Sequence, residues 1–190
     1  MAKKIDMKNI LLYLSAFIPM YALIILKQSI EIIVGNIKTD FLNIFVVCLL
    51  VIVIVLGLLG LKLEIFNNNN KATKIKIISK KNTTGQHFLG YFSLFVLFAI
   101  TFDLSRMSML VVFIGILTMI GIVYVKNKLF YINPFLNILG YNFYDITYKV
   151  VGQTKELNTK IFFKGNLILD KQYCVKIKDE NFCFLDISGK

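Results

Sequence analysis

Long apolar stretches separated by short polar segments fill the first two thirds of the chain. They cover residues 10–26, 41–61, 88–102 and 107–125. A helix rises about 1.5 Å per residue, so roughly 20 apolar residues cross the hydrocarbon core of a bilayer. The second and fourth stretches meet that length alone, whereas the first and third need flanking residues to complete a span. The pattern predicts an α-helical membrane protein with a four-helix transmembrane domain over residues 1–128.

A short helix with clear start and stop signals is predicted in the linker that follows, residues 129–142. Asn133 suits the N-cap, Pro134 suits the first helical turn, and Gly140 suits the left-handed position after the last turn. The apolar residues between these positions would pack the helix against the membrane face or against the next domain.

The remaining residues, 143–190, change to the alternation that is typical of strands. The residues on one face of the first predicted strand are Tyr144, Ile146, Tyr148 and Val150. We expect a small cytoplasmic antiparallel β domain, whose last hairpin places Val175 opposite Phe184. Another alternating segment, residues 74–78, lies between the second and third apolar stretches. The sequence leaves open whether this segment joins the C-terminal sheet or lies at the membrane interface.

Positive charge is concentrated on one side of the predicted spans. The chain has 22 Lys and Arg against 11 Asp and Glu, and its net charge is +11. If the loops alternate in side, only Lys27, Lys38 and Arg106 fall opposite the two termini. The positive-inside rule then predicts a multi-pass protein of the cytoplasmic membrane with both termini in the cytoplasm. The lysines favour contact with anionic lipid at that face, and without a nucleic-acid-binding motif we expect no direct nucleic-acid contact.

The sequence has few residues arranged for chemistry. It contains no Ser-His-Asp set, no HExxH, no phosphate-binding glycine loop and no CxxC, and His87 is its one histidine. No Asp, Glu, Lys, Arg or His lies within a predicted span, whereas transporters usually carry ionisable groups there. We therefore expect no enzyme activity, no catalytic residues, no metal site and no cofactor.

Several residues within and beside the spans predict local features of the bundle. Pro19 should bend the first span, with Ser15 near the carbonyl groups that the bend frees. Asp103 and Arg106, three residues apart in the connection between the last two spans, should form an ion pair. The small residues expected at close helix contacts are Gly57, Gly60, Gly115, Thr118 and Gly121.

Two segments have distinctive sequences. The first is the run YLSAFIPMY at residues 13–21, and the second is the junction YINPFLNILGYNFY at residues 131–144. The distinctive positions of the junction are Asn133, Pro134, Gly140, Tyr141 and Tyr144. Together with the short connection between the last two spans, they resemble the KwaA family, the membrane component of the bacterial antiphage system Kiwa.

The resemblance implies a non-catalytic sensor and scaffold in the bacterial inner membrane. Such a subunit would form a homo-oligomer, with a tetramer as one candidate, and would recruit a cytosolic DNA-binding effector, KwaB. The residues that we expect to dock this effector are Lys74, Lys76, Tyr144, Tyr148, Lys176 and Lys178. Two alternatives stay open from the sequence: an oligomeric channel or small-solute transporter, and a membrane-perturbing effector of abortive infection.

Overall fold

The computed structural model describes residues 7–35, 40–64, 72–127, 129, 132–179 and 182–185. The chain forms two compact units that are interleaved in sequence. The first unit comprises Met1–Glu64 and Gly90–Phe135, and the second comprises Ile65–Leu89 and Leu136–Lys190. The sequence predicts three continuous segments, 1–128, 129–142 and 143–190, and places residues 65–89 in the first of them. In the structure, residues 65–89 belong to the second unit instead.

Helices dominate the first unit. In chain order, the helices of the protein are α1 (Met7–Ala16), α2 (Ile18–Ile33), α3 (Phe41–Glu64), α4 (Thr84–Thr101), α5 (Met107–Lys126) and α6 (Pro134–Ile138). The large side chains fully buried in this unit are Phe17, Met20, Tyr21, Ile24, Leu61, Phe95 and Leu104. Many apolar side chains on α3 and α5 are exposed instead, which is the arrangement that a lipid environment favours.

Two helices are long and apolar enough to cross a membrane. They are Phe41–Leu63 within α3 and Met107–Lys126, which is α5. The α1–α2 pair reaches the required length only if its two helices are taken as one bent span, in which case the described residues contain three candidate spans instead of two. The apolar part of α4, Phe88–Thr101, is shorter than a full span. These helices are compatible with the predicted membrane location, and the count of four spans stays a prediction.

Glycines allow α1 to pack closely against α3. A Cβ atom added at Gly57 would lie 3.0 Å from the Ser15 Cα atom, and one at Gly60 would lie 2.6 Å from the Leu11 Cβ atom. The predicted close contact at these two glycines is therefore confirmed. By contrast, an added Cβ atom at Gly115 would meet nothing within 4 Å.

A closed β-barrel forms the second unit. Its strands are β1 (Ala72–Asn82), β2 (Tyr141–Val150), β3 (Glu156–Lys164), β4 (Gln172–Asp179) and β5 (Phe182–Leu185). The order around the barrel is β1-β2-β3-β5-β4, and β1 pairs with β4 to close it. All neighbours are antiparallel except β3 and β5, so the predicted antiparallel sheet needs this one correction. The segment 74–78 belongs to β1 and joins the sheet, which settles the question that the sequence left open.

The barrel interior is filled by alternate residues of its strands and by Leu167 of the connection between β3 and β4. The buried core residues are Ile75, Ile77, Tyr144, Ile146, Tyr148, Ile161, Leu167 and Val175. Alternation predicted that Tyr144, Ile146 and Tyr148 share one face, and the structure places that face inside the barrel. The hydrophobic effect explains this choice, because the interior face of a small closed barrel is the one removed from water.

The last hairpin has a different register from the predicted one. Val175 pairs with Leu185, and Lys176 pairs with Phe184. The expected pairing of Val175 with Phe184 was wrong by one residue. A bulge between Ile177 and Asp179 shifts the register farther along the hairpin.

Candidate functional site at the bend of the first helix pair

A sharp bend separates α1 from α2. The two helices meet at 49°, with Phe17 between them. Pro19 lies in the first turn of α2, where a missing backbone N–H costs nothing, but its ring prevents an unbroken helix from continuing through residue 15. The bend predicted from Pro19 is confirmed, and the break falls two residues before the proline.

A buried hydrogen bond joins this bend to the segment that follows α5. The Asn133 Nδ2 atom donates to the Ser15 Oγ atom at 2.8 Å, and both side chains are buried. The Ser15 hydroxyl in turn donates to the Leu12 carbonyl oxygen at 2.7 Å. We call the bond between Asn133 and Ser15 the bend contact. In an apolar setting such a bond is stronger than in water, because no solvent competes for either group.

Aromatic side chains pack together near the bend, and one of them forms a hydrogen bond to the residue before Asn133. The Tyr13 ring packs against Phe17 and Tyr124, with centroids 5.0 and 5.4 Å away. The Tyr124 hydroxyl of α5 donates to the Ile132 carbonyl oxygen at 2.8 Å. The residues 132 and 133 are therefore held at two adjacent points, one from α5 and one from the bend.

The bend contact joins two distant parts of the chain through uncharged side chains. Serine, asparagine and tyrosine side chains can exchange hydrogen-bond partners without gaining or losing charge. A change in the angle between α1 and α2 would move Ser15, and Asn133 would have to follow or lose this hydrogen bond. Because Pro134 begins α6 immediately afterwards, the bend contact sits at the start of the chain segment that continues into β2.

A second set of polar side chains lies at the C-terminal end of α4 and in the connection to α5. The Lys27 Nζ atom donates to the carbonyl oxygens of Ile100 and Phe102, both at 3.2 Å. The Asp103 Oδ2 atom lies 3.1 Å from the Arg106 Nε atom, which confirms the predicted ion pair. The Ser105 hydroxyl also donates to Asp103, and mainly for this reason the pKa of Asp103 is lower than usual.

The residues expected to dock a partner lie in two different environments. Lys74 and Lys76 are exposed on β1, and the Lys76 Nζ atom lies 3.0 Å from the Asp170 Oδ1 atom. Tyr144 and Tyr148 lie in the barrel core, so their rings do not reach a partner and their role is packing. Their selection as docking residues is corrected on this ground.

The other two expected docking residues can be placed only by their backbone. Lys176 and Lys178 both belong to β4, and Lys176 pairs with Ala72 of β1. Their side chains lie outside the part of the chain that the structure describes at side-chain level.

The distinctive residues of the junction have separate roles. Asn133 directly precedes α6, the position at which the sequence predicts a helix N-cap, and its side chain also forms the bend contact. Pro134 begins α6, and Gly140 has the predicted left-handed conformation, with φ of +85°. Tyr141 begins β2 and is buried, which raises the pKa of its hydroxyl.

Sequence reasoning did not identify the partners of the bend contact. Ser15 and Asn133 are 118 positions apart, and local periodicity carries no information on such a pair. The available signal was that each belongs to one of the two distinctive segments, 13–21 and 131–144. Among the described residues, no group of three or more His, Cys, Asp and Glu side chains is placed to hold a metal ion.

Comparison with known families identifies the chain. A family model described as anti-phage protein KwaA matches residues 8–184. Neither the comparison with curated proteins nor that with solved structures gives a match. The matched range includes all of the helices except Met7, the first residue of α1, and the whole β-barrel except Leu185, the last residue of β5. The chain therefore belongs to the KwaA family, and its role is in antiphage defence.

Proposed function

We propose that this protein is a non-catalytic membrane sensor and scaffold of an antiphage complex. The apolar helices lie in the inner membrane, both termini are cytoplasmic, and the β-barrel recruits a cytosolic DNA-binding effector that resembles KwaB. The subunit acts as a homo-oligomer, and a tetramer is the first oligomeric state to test. Family membership and the apolar helices support the defence role and the membrane location.

The bend contact is the observation that carries this proposal. A sensor of membrane perturbation needs an element with two arrangements of similar free energy. Hydrogen bonds between membrane helices contribute about 0.6 kcal/mol on average and up to roughly 1.7 kcal/mol. A bond in this range keeps the bend in one arrangement at rest, yet lateral stress on the α1–α2 segment can break it.

The β-barrel supplies the docking surface in this proposal. Lys74 and Lys76 project from β1, and the chain as a whole carries a charge of +11. A basic surface attracts an acidic surface on a protein partner and anionic lipid headgroups alike. Lys74 is the better residue to replace in a test of docking, because Lys76 is already paired with Asp170.

Phage challenge of cells that carry variants of the bend contact tests the proposal. We expect Asn133→Ala and Ser15→Ala to insert normally into the membrane but to lose protection, measured as plaque formation relative to wild type. Thr118→Ala is the matched control, because the Thr118 hydroxyl donates to Ile114 within its own helix. Membrane fractionation of each variant checks insertion.

Three results would contradict the proposal. Full protection by both bend-contact variants would show that sensing does not pass through this bond. Protection together with ion flux through liposomes that contain only this protein would favour the channel alternative. Growth arrest on expression without phage would favour the membrane-perturbing effector.

A further inference from the structure

The connection between β3 and β4, residues 165–171, displays two large aliphatic side chains on the barrel surface. Ile168 is 58% exposed and Leu169 is 46% exposed. Leu167, immediately before them, is buried in the barrel core. Adjacent exposed aliphatic residues at the tip of a loop cost solvation free energy unless a partner covers them.

Hydrogen bonds hold this β3–β4 loop in a defined conformation. The Ile168 N–H group donates to the Tyr173 hydroxyl at 2.9 Å, and the Asp170 N–H group donates to the Ile77 carbonyl oxygen at 3.0 Å. At its start, the Gly165 carbonyl oxygen accepts from the Tyr144 hydroxyl at 3.2 Å. The loop therefore presents its apolar tip without having to become ordered on binding, which lowers the entropic cost of a contact.

Lysines border the apolar tip. Lys164 directly precedes the loop, Lys171 is its last residue, and both are exposed. The Lys80 Nζ atom donates to the Leu167 carbonyl oxygen, and Lys76 pairs with the carboxylate of Asp170. The loop and its contacts thus combine four lysines with one aspartate around two exposed aliphatic side chains.

We propose that the β3–β4 loop is a membrane-contact element that inserts Ile168 and Leu169 into an anionic lipid surface. Interfacial elements bind by burying apolar side chains at the boundary of headgroups and acyl chains while basic residues attract anionic headgroups. A bilayer is always within reach, because the barrel is covalently joined to apolar helices, and such a tether makes the contact effectively intramolecular. The inference gives the lipid contact of the proposed function a specific site and does not depend on the scaffold role.

Tryptophan fluorescence tests this inference, since the chain contains no Trp. The full-length Leu169→Trp variant is reconstituted in vesicles of phosphatidylcholine, alone or mixed with phosphatidylglycerol. We expect emission at shorter wavelength and quenching by brominated lipid, both stronger with phosphatidylglycerol. Ile168→Trp provides a second reporter in case the first substitution disturbs the fold.

The control reporter is Gln153→Trp. Gln153 is exposed in the turn between β2 and β3, at the opposite end of these strands from Gly165, because Tyr141 pairs with Lys164 and Lys149 pairs with Glu156. We expect this indole to emit as a water-exposed group in both kinds of vesicle. Replacing Lys164 or Lys171 with Gln should lower the ratio of inserted to free loop about five-fold for each lysine removed.

The outcomes separate this inference from the proposed function. Emission and quenching equal to those of the Gln153→Trp control in both kinds of vesicle would overturn it. An indole that is shielded only when the cytosolic effector is added would also overturn it, because the loop would then be a protein contact. Lipid quenching without any effector binding would support the membrane contact and contradict the scaffold role.

Discussion

A double-mutant cycle across the bend contact gives the most quantitative prediction. The four proteins are the wild type, Ser15→Ala, Asn133→Ala and the variant with both substitutions. Asn133→Ala removes the donor and leaves the Ser15 hydroxyl bonded to the Leu12 carbonyl oxygen. Ser15→Ala removes both the acceptor of the bond from Asn133 and the donor of the bond to the Leu12 carbonyl oxygen, and a typical hydrogen bond contributes about 0.5–1.5 kcal/mol.

The expected coupling follows from the geometry. The distance of 2.8 Å between Nδ2 and Oγ is within the normal range for N–H···O bonds, and both groups are buried. Cycles between membrane helices give about 0.6 kcal/mol on average, with a maximum near 1.7 kcal/mol. We therefore expect a coupling free energy of about 1 kcal/mol, which is roughly a five-fold change in the unfolding equilibrium.

Reversible unfolding in mixed micelles measures the four free energies. Thr118→Ala, combined with Asn133→Ala, is the control cycle, because the Thr118 hydroxyl bonds within α5. The control effects should add to within about 0.5 kcal/mol. If Ser15→Ala and Asn133→Ala also add within that margin, the two side chains do not act as a pair and the role of the bend contact is refuted.

Three further predictions concern the bundle, the α4–α5 connection and the barrel. Gly60→Ala should lower the free energy of unfolding by about 1–3 kcal/mol, because the added Cβ atom would meet Leu11. Gly115→Ala is the control and should not destabilise the protein, because its added Cβ atom meets nothing within 4 Å. Denaturation in detergent measures the free energy of unfolding of both variants. Because the pKa of Asp103 is lowered in the fold, its carboxylate stabilises the protein above pH about 4, and this contribution is lost as pH falls through the folded-state pKa. The free energy of unfolding should therefore fall less steeply with decreasing pH in Asp103→Asn than in wild type. Equal slopes for the two proteins would contradict this prediction. Tyr148→Ala should cost about 3–5 kcal/mol by emptying part of the barrel core, whereas Lys74→Ala should change stability by no more than about 0.5 kcal/mol; thermal melts distinguish the two.

Local patterns predicted the elements of this fold better than their partners. Alternation placed a strand at residues 74–78 and placed Tyr144 and Tyr148 on one face, and both are correct. Alternation cannot say which face is interior, because that depends on how the sheet closes. The closure requires β1 to pair with β2 and β4, and three helices separate β1 from these strands along the chain.

The candidate site was predictable in parts but not as a unit. Pro19 predicted the bend because proline cannot continue a helix. Asp103 and Arg106 predicted an ion pair because they are close in sequence. The link between Ser15 and Asn133 joins the start of the chain to the end of the helical unit. Only the three-dimensional arrangement of α1 and α5 brings them together, so no local rule identifies the pair.

The most direct test of the scaffold claim is co-purification in the native host. The tagged protein is extracted in mild detergent, before and after phage adsorption, as wild type and as Asn133→Ala. We predict that a stoichiometric cytosolic DNA-binding protein co-purifies with wild type and that phage adsorption changes this association only when the bend contact is intact. A homo-oligomer without a cytosolic partner, under both conditions, would contradict the scaffold role.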